Sequence, residues 1–206
     1  MPLSRRAILS LALSGVPTAA SAKKQGTYCH HLFGPVEFET EAEDWVRGGK
    51  IVITSGFDES KIKLVFVRQI KGLPRSTEGL FNSGYMEFHI DAHAQLLNAF
   101  SQIEQQGLLP KMISFGGARP ERRLRKVLGK GKQAVSPEPS NHAFGTAFDV
   151  NARDGKEGKT AQPFAEIFKA NGFLWGGEFH ARDPMHFEVG TFLGKTMPVP
   201  ACKVGS

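Results

Sequence analysis

The sequence predicts an α+β fold in which helices pack on a small antiparallel sheet. Short β-branched or aromatic runs bounded by Gly and Pro read as strands, and two longer segments carry apolar residues at helical spacing. The two kinds of segment follow no regular strand–helix–strand alternation, which argues against a parallel sheet. The 206 residues include 23 Gly and 12 Pro, so turns are frequent. With 40% hydrophobic and 22% charged residues, the composition is globular and excludes a disordered or fibrous chain.

The N-terminus reads as a leader. Arg5 and Arg6 precede an apolar stretch over 7–16, and Ala20-Ser21-Ala22 offers a small-residue cleavage site before Lys23. That is the layout of a secretory signal peptide over 1–22. Ser4-Arg5-Arg6-Ala7-Ile8-Leu9 also resembles a twin-arginine export signal. An apolar run of about 10 residues falls well short of the roughly 20 that span a bilayer. The expectation is a single mature domain over 23–206, exported to the periplasm or beyond the cell, with no membrane anchor after cleavage. The rival reading is an N-terminal anchor. Removing the leader takes the net charge from +6 to +4. Cys29 and Cys202 then lie near the two mature ends. They can pair and close a very long loop, or stay as two buried thiols, and neither has a Cys or His neighbour at metal spacing.

Along the mature chain, 51–54 and 63–67 read as strands, with turns at Gly48-Gly49, Gly56, Gly72 and Pro74. Asp91 is the expected N-cap of a helix to about 106, with Leu96, Leu97, Phe100 and Ile103 on its buried face and Gly107 as the stop. A short strand over 113–115 follows, then a largely irregular stretch over 119–139. Residues 147–151 read as a strand. Thr160 is the expected cap of a second helix, with Pro163 in its first turn, Phe164, Ile167 and Phe168 facing inward, and Asn171-Gly172 ending it. The last strands are 173–175 and 185–189.

Two short segments carry chemistry. Ser140-Asn141-His142-Ala143-Phe144-Gly145-Thr146-Ala147-Phe148-Asp149 sets a His and an Asp seven residues apart, and Asp183-Pro184-Met185-His186-Phe187-Glu188 sets an acid three residues before a second His. Imidazole nitrogens and a carboxylate oxygen are zinc ligands, and two His with one Asp leave a fourth position open for water. In combination the segments resemble the zinc D-alanyl-D-alanine carboxypeptidase and L-alanyl-D-glutamate endopeptidase family. These enzymes cut peptidoglycan stem peptides, and phage endolysins are among them. Phe173-Leu174-Trp175-Gly176-Gly177 resembles the family's run between the motifs. The likeness extends over roughly 91–189, with a peptidase core at about 85–190, and residues 26–85 have no part in it.

The resemblance implies one Zn2+ held by His142, Asp149 and His186 on the antiparallel sheet, and amide hydrolysis by zinc-activated water. Asp183 would be the general base, and could return the proton to the leaving amine. Glu188, two residues after His186 and on the same strand face, would orient an imidazole or touch substrate, as would Ser140 beside His142. The oxyanion needs a cation. Glu121-Arg122-Arg123-Leu124-Arg125 resembles the family's arginine pair three apart, making Arg122 the first choice, with Arg119, Arg123 and Arg125 as alternatives. The Gly129-Lys130-Gly131-Lys132 run departs from the family's spacing here.

Other candidates have plainer readings. His89, Asp91 and His93 mimic a metal spacing but straddle a strand end and a helix start, which favours capping and surface roles. Glu178 and His180 could replace Asp183 or a ligand, although the Asp183/His186 spacing is the better match. His30 and His31 are expected to be exposed. Three functions remain: a peptidase, either carboxypeptidase or endopeptidase; a non-catalytic zinc-binding module that recognises the cell wall; and a nucleic-acid binder. The last rests on charge alone, lacks aromatics interleaved with the basic run, and conflicts with export. Between Lys111 and Lys132 the local charge is +7, leaving −3 for the rest of the mature chain. Lys126, Lys130 and Lys132 thus suggest a cationic approach for a carboxylate-bearing stem peptide.

Overall fold

Alternation of inward apolar and outward charged residues folds residues 23–41 into a hairpin. In the computed structural model, which describes residues 22–41, 50–75, 80–116, 124–125, 138–154, 158–196 and 202, β1 (Lys23–His30) pairs antiparallel with β2 (Gly34–Glu41). Val36 and Phe38 point inward from β2 while Pro35 and Glu37 face solvent. β3 (Ile51–Ser55) adds to the other edge of β2, with a bulge at Glu37/Phe38. The sequence pattern anticipates β3. It misses β1 and β2, whose few apolar residues are diluted by Glu, Lys and Thr.

β4 (Ile62–Phe66) and β5 (Tyr85–His89) form a second antiparallel pair that leads into α1 (His93–Gln105). Here Asp91 proves not to be the helix cap. It lies in a 3-10 turn, Ile90–Ala92, whose cap is the His89 side chain accepting from the Asp91 amide at 3.3 Å. The Asp91 carboxylate is drawn instead to Lys195. Leu96, Phe100 and Ile103 are buried on α1 as expected, but Leu97 lies on the other side and is exposed.

The expected strand over 113–115 is a single bridge between Phe115 and Val150, because Asn151 turns the chain. Asn151 has φ 59, and its side-chain amide accepts from Ile113 and donates to Lys111 and Thr160. The same turn ends the strand expected over 147–151 at Asp149. Within the stretch read as irregular, β6 (Leu124–Arg125) pairs with β7 (Glu138–Pro139). Thr160 is not a cap either. A 3-10 turn over Lys159–Phe164 starts at Gly158, takes in Pro163, and runs into α2 (Ala165–Ala170), while the Thr160 hydroxyl donates to Asp154 at 2.6 Å.

β8 (Ala147–Asp149), β10 (His186–Val189) and β9 (Phe173–Trp175) make a fully antiparallel sheet in the order β8-β10-β9. It confirms the predicted α+β class. Phe148 and Phe187 are register partners stacked at 5.7 Å, with Phe168 of α2 4.6 Å from Phe187. Phe100 of α1 packs edge-on to Phe168 at 5.6 Å. A second buried cluster joins Val36, Phe38, Ile51 and Ile53 of the N-terminal sheet to Ala143 and Phe144. The segment with no family likeness therefore supports the turn that carries His142. Cys29 and Cys202, left open above, form a disulfide across 173 residues. Among the described residues, no helix is long and apolar enough to cross a membrane.

Candidate metal centre

Three short elements converge to bring the candidate ligands together. His142 sits in the 3-10 turn Asn141–Phe144, whose cap is Ser140, its hydroxyl accepting from the His142 amide at 3.4 Å. Gly145 closes that turn in the left-handed region at φ 63, where a side chain would be strained, and its carbonyl accepts from the His89 amide at 2.8 Å. The turn is thereby fastened to the end of β5. Asp149 ends β8 and His186 begins β10, and the two are direct register partners. Directly opposed residues project from the same face of a sheet.

The loop before His186 is fastened as well. The Asp183 amide donates to the Gly176 carbonyl at 2.9 Å, the His186 amide to the Asp183 carbonyl at 3.0 Å, and the Trp175 indole to the Pro184 carbonyl at 2.8 Å. A Cβ on Gly176 would collide with the Asp183 carbonyl, so glycine is required for this approach. Asp183 itself is half-buried.

One ligand atom each from His142, Asp149 and His186 lies within 4.8 Å of the others. His142 Nε2 and His186 Nδ1 are both 3.4 Å from Asp149 Oδ1. The atoms of His186 have fixed roles. Its Nε2 is 2.8 Å from Glu188 Oε2, and an ionised carboxylate accepts only, so Nε2 carries the hydrogen. In a neutral ring Nδ1 is then a bare lone pair facing the Asp149 carboxylate. Two acceptors in that position are reconciled only by a cation or a proton between them. The donor set therefore fits a metal ion.

Electrostatics agree. Burial opposes charge on His186, but hydrogen bonds to Asp149 and Glu188 override it and raise its pKa to about 9 in the metal-free protein. For Asp149, burial pushes upward, yet hydrogen bonds and charge from His142 and His186 hold the carboxyl well below the usual range. The site favours positive charge at its centre.

The remaining candidates fall elsewhere. Glu178 is turned to Lys169 at 2.8 Å, and His180 is exposed. His93 Nε2 is 2.9 Å from the Phe88 carbonyl. His89 caps as expected but is buried among Phe33, Phe57 and Phe192, because the N-terminal segment covers it. His30 overturns its expectation entirely: it is 0% exposed, enclosed by Phe33 and Phe144. The inward phase of β1, on which Tyr28 also lies, was the available signal. Asn141, which no spacing in the sequence singles out, also belongs to the site: its Nδ2 donates to Glu188 at 2.6 Å. Arg119, Arg122, Arg123, Lys126, Lys130 and Lys132 lie outside the described residues, and only the backbone of Arg125 is described, in β6.

Residues 134–189 match the model of the D-alanyl-D-alanine carboxypeptidase family. The matched segment holds His142, Asp149, Asp183 and His186 and bears out the resemblance to zinc peptidases read from the sequence. It supports a metallopeptidase acting on peptidoglycan-type peptides. No curated protein matches the chain.

Proposed function

We propose that the protein is an exported zinc metallopeptidase that hydrolyses an amide bond in peptidoglycan stem peptides, with the terminal D-alanyl-D-alanine bond as the preferred target. The observation that carries this reading is the His142–Asp149–His186 cluster, gathered by the segment that matches the carboxypeptidase family. Zinc held there would polarise the scissile carbonyl and make water nucleophilic near neutral pH. The chain's own groups do the rest. Asp183 takes the proton from the attacking water and delivers it to the leaving amine. An arginine from 119–125, Arg122 first, supplies the positive charge that the oxyanion needs. Glu188 holds the His186 ring, and Ser140 holds the His142 turn. The lysines at 126, 130 and 132 attract the stem peptide's carboxylates. The leader over 1–22 and the Cys29–Cys202 disulfide both suit an oxidising compartment outside the cytoplasm.

Incubating purified muropeptides with zinc-loaded mature protein, followed by mass spectrometry, tests the reading. Loss of one terminal alanine is expected. Separation at an internal bond would instead identify an L-alanyl-D-glutamate-type endopeptidase. Bound zinc without cleavage would identify a recognition module. Asp183→Ala should keep zinc and lose roughly 10²–10⁴-fold in kcat. Full activity in that variant would eliminate Asp183 as the base.

A further inference from the structure

We propose that His30, on the N-terminal hairpin, is a positioning residue for the metal ligand His186, acting through Asn141 and Glu188. The inference rests on the reading of His142, Asp149 and His186 as the metal site.

The argument starts at Glu188, whose carboxylate can only accept. It takes a hydrogen from His186 Nε2 at 2.8 Å and one from Asn141 Nδ2 at 2.6 Å. The first leaves His186 Nδ1 free for the metal. The second fixes the Asn141 amide, so its oxygen points away from Glu188. On the other side, the Leu32 amide donates to His30 Nδ1 at 3.0 Å. A neutral His30 must then carry its hydrogen on Nε2. His30 Nε2 and Asn141 Oδ1 are both buried, and neither has a hydrogen-bond partner in the ordinary range. They are complementary: one is a donor lacking an acceptor, the other an acceptor lacking a donor. The Asn141 side chain favours the proton on His30.

Burial, with the neighbouring His31 acting in the same direction, lowers His30 to about 3, so the ring is a constant neutral donor across the physiological range. Burying an unpaired donor is unfavourable, and a leucine or phenylalanine here would avoid it. An imidazole in an aromatic pocket is therefore suited to a polar task. The Leu32 amide fixes the hydrogen on His30 Nε2, and the Glu188 carboxylate fixes those on Asn141 Nδ2 and His186 Nε2. His30 also packs edge-on to Phe144 at 4.3 Å, in the turn that bears His142. One side chain thus braces the supports of two ligands. Its own strand is anchored at the preceding residue by the Cys29–Cys202 bridge.

The test compares zinc affinity, measured by competition with a chromophoric chelator, in His30→Phe, His30→Gln and Asn141→Leu. The visible spectrum of the cobalt-substituted protein reports ligand geometry in each. His30→Phe preserves bulk but removes the donor, and Asn141→Leu breaks the next contact. Each should weaken zinc by roughly 10–100-fold, the usual effect of groups that orient a ligand, and shift the cobalt bands. Combining them should add little, because both interrupt one path. His30→Gln restores a donor near the Nε2 position and should return affinity to within about threefold of the unaltered protein. Unchanged affinity and cobalt bands in His30→Phe would overturn the proposal and leave the metal site standing. If His30→Phe fails to fold, equal affinity in His30→Gln and Asn141→Leu overturns it. Unaltered protein that binds no zinc removes the metal site, and the proposal with it.

Discussion

His186 and His30 are buried almost equally, at 2% and 0% exposure, and their protonation goes in opposite directions. Burial lowers both. At His186 it is outweighed by Asp149 and Glu188, and the pKa rises to about 9. At His30 the Asn141 amide and the charge of Glu188 offset burial only in part, and the pKa falls to about 3. His89, among the same aromatic rings as the hairpin, falls to about 4. Burial alone thus says nothing about a histidine's charge. Carboxylates at bonding distance make one region a place for a cation, and aromatic rings make the other a place for neutral imidazoles.

The most damaging way to break this contrast is Asp149→Asn. It removes the carboxylate that both histidines of the cluster approach at 3.4 Å. Zinc affinity should drop by more than the roughly 10–100-fold associated with supporting groups. In the metal-free variant the His186 pKa should move down toward that of His30. Isothermal titration and histidine NMR would read the two effects, and a His186 pKa left near 9 would contradict the explanation given for it.

A smaller effect is the pH profile of the metal-free protein. A raised His186 contributes stability that is complete below its unfolded value of 6.5 and is lost as pH rises through about 9. His30 and His89 are lowered, so their contribution is complete above 6.5 and is lost as pH falls toward 4 and 3. The two slopes meet near pH 6.5, where stability should peak. Zinc should flatten the alkaline slope, because the metal replaces the proton on His186. Urea midpoints at pH 4.5, 6.5 and 8.5 would check this, and a midpoint that climbs steadily with pH in metal-free protein would refute it.

The smallest effect expected is that of Lys195→Ala. The Lys195–Asp91 pair is partly exposed, so its loss should change stability by no more than about 1 kcal/mol. Lys195 also helps to hold His89 down, and its removal should let the His89 pKa rise while His186 is untouched. NMR titration of both rings separates the two regions. A joint movement would mean that they are electrostatically coupled.

The parts of the molecule that were legible in the sequence depend on short-range pattern. His142 and Asp149 share a turn and the strand after it, and Asp183 and His186 share a loop and a strand start, so their local spacing, together with the family resemblance it carries, brings them forward. Strands β8 to β10 and the inward faces of α1 and α2 follow from local alternation and helical period. What escaped depends on distant segments. The expected Asp91 cap does not form because Lys195 competes for its carboxylate and His89 supplies a nitrogen in its stead. His30 is buried against expectation because Phe33 and Phe144 enclose it, the latter far along the chain. Asn141 lies within the first motif, but its value comes from Glu188 on another strand.

The disulfide has a consequence of another kind. By joining positions 173 residues apart, it turns nearly the whole folded chain into a covalent ring. A ring opened once by a protease remains one molecule. A single scission in an exposed connection between Cys29 and Cys202 therefore creates new ends without releasing a fragment, and the hairpin bearing His30 stays tethered to the body that holds His186. Two cuts, or one cut together with reduction, are needed before any part can diffuse away.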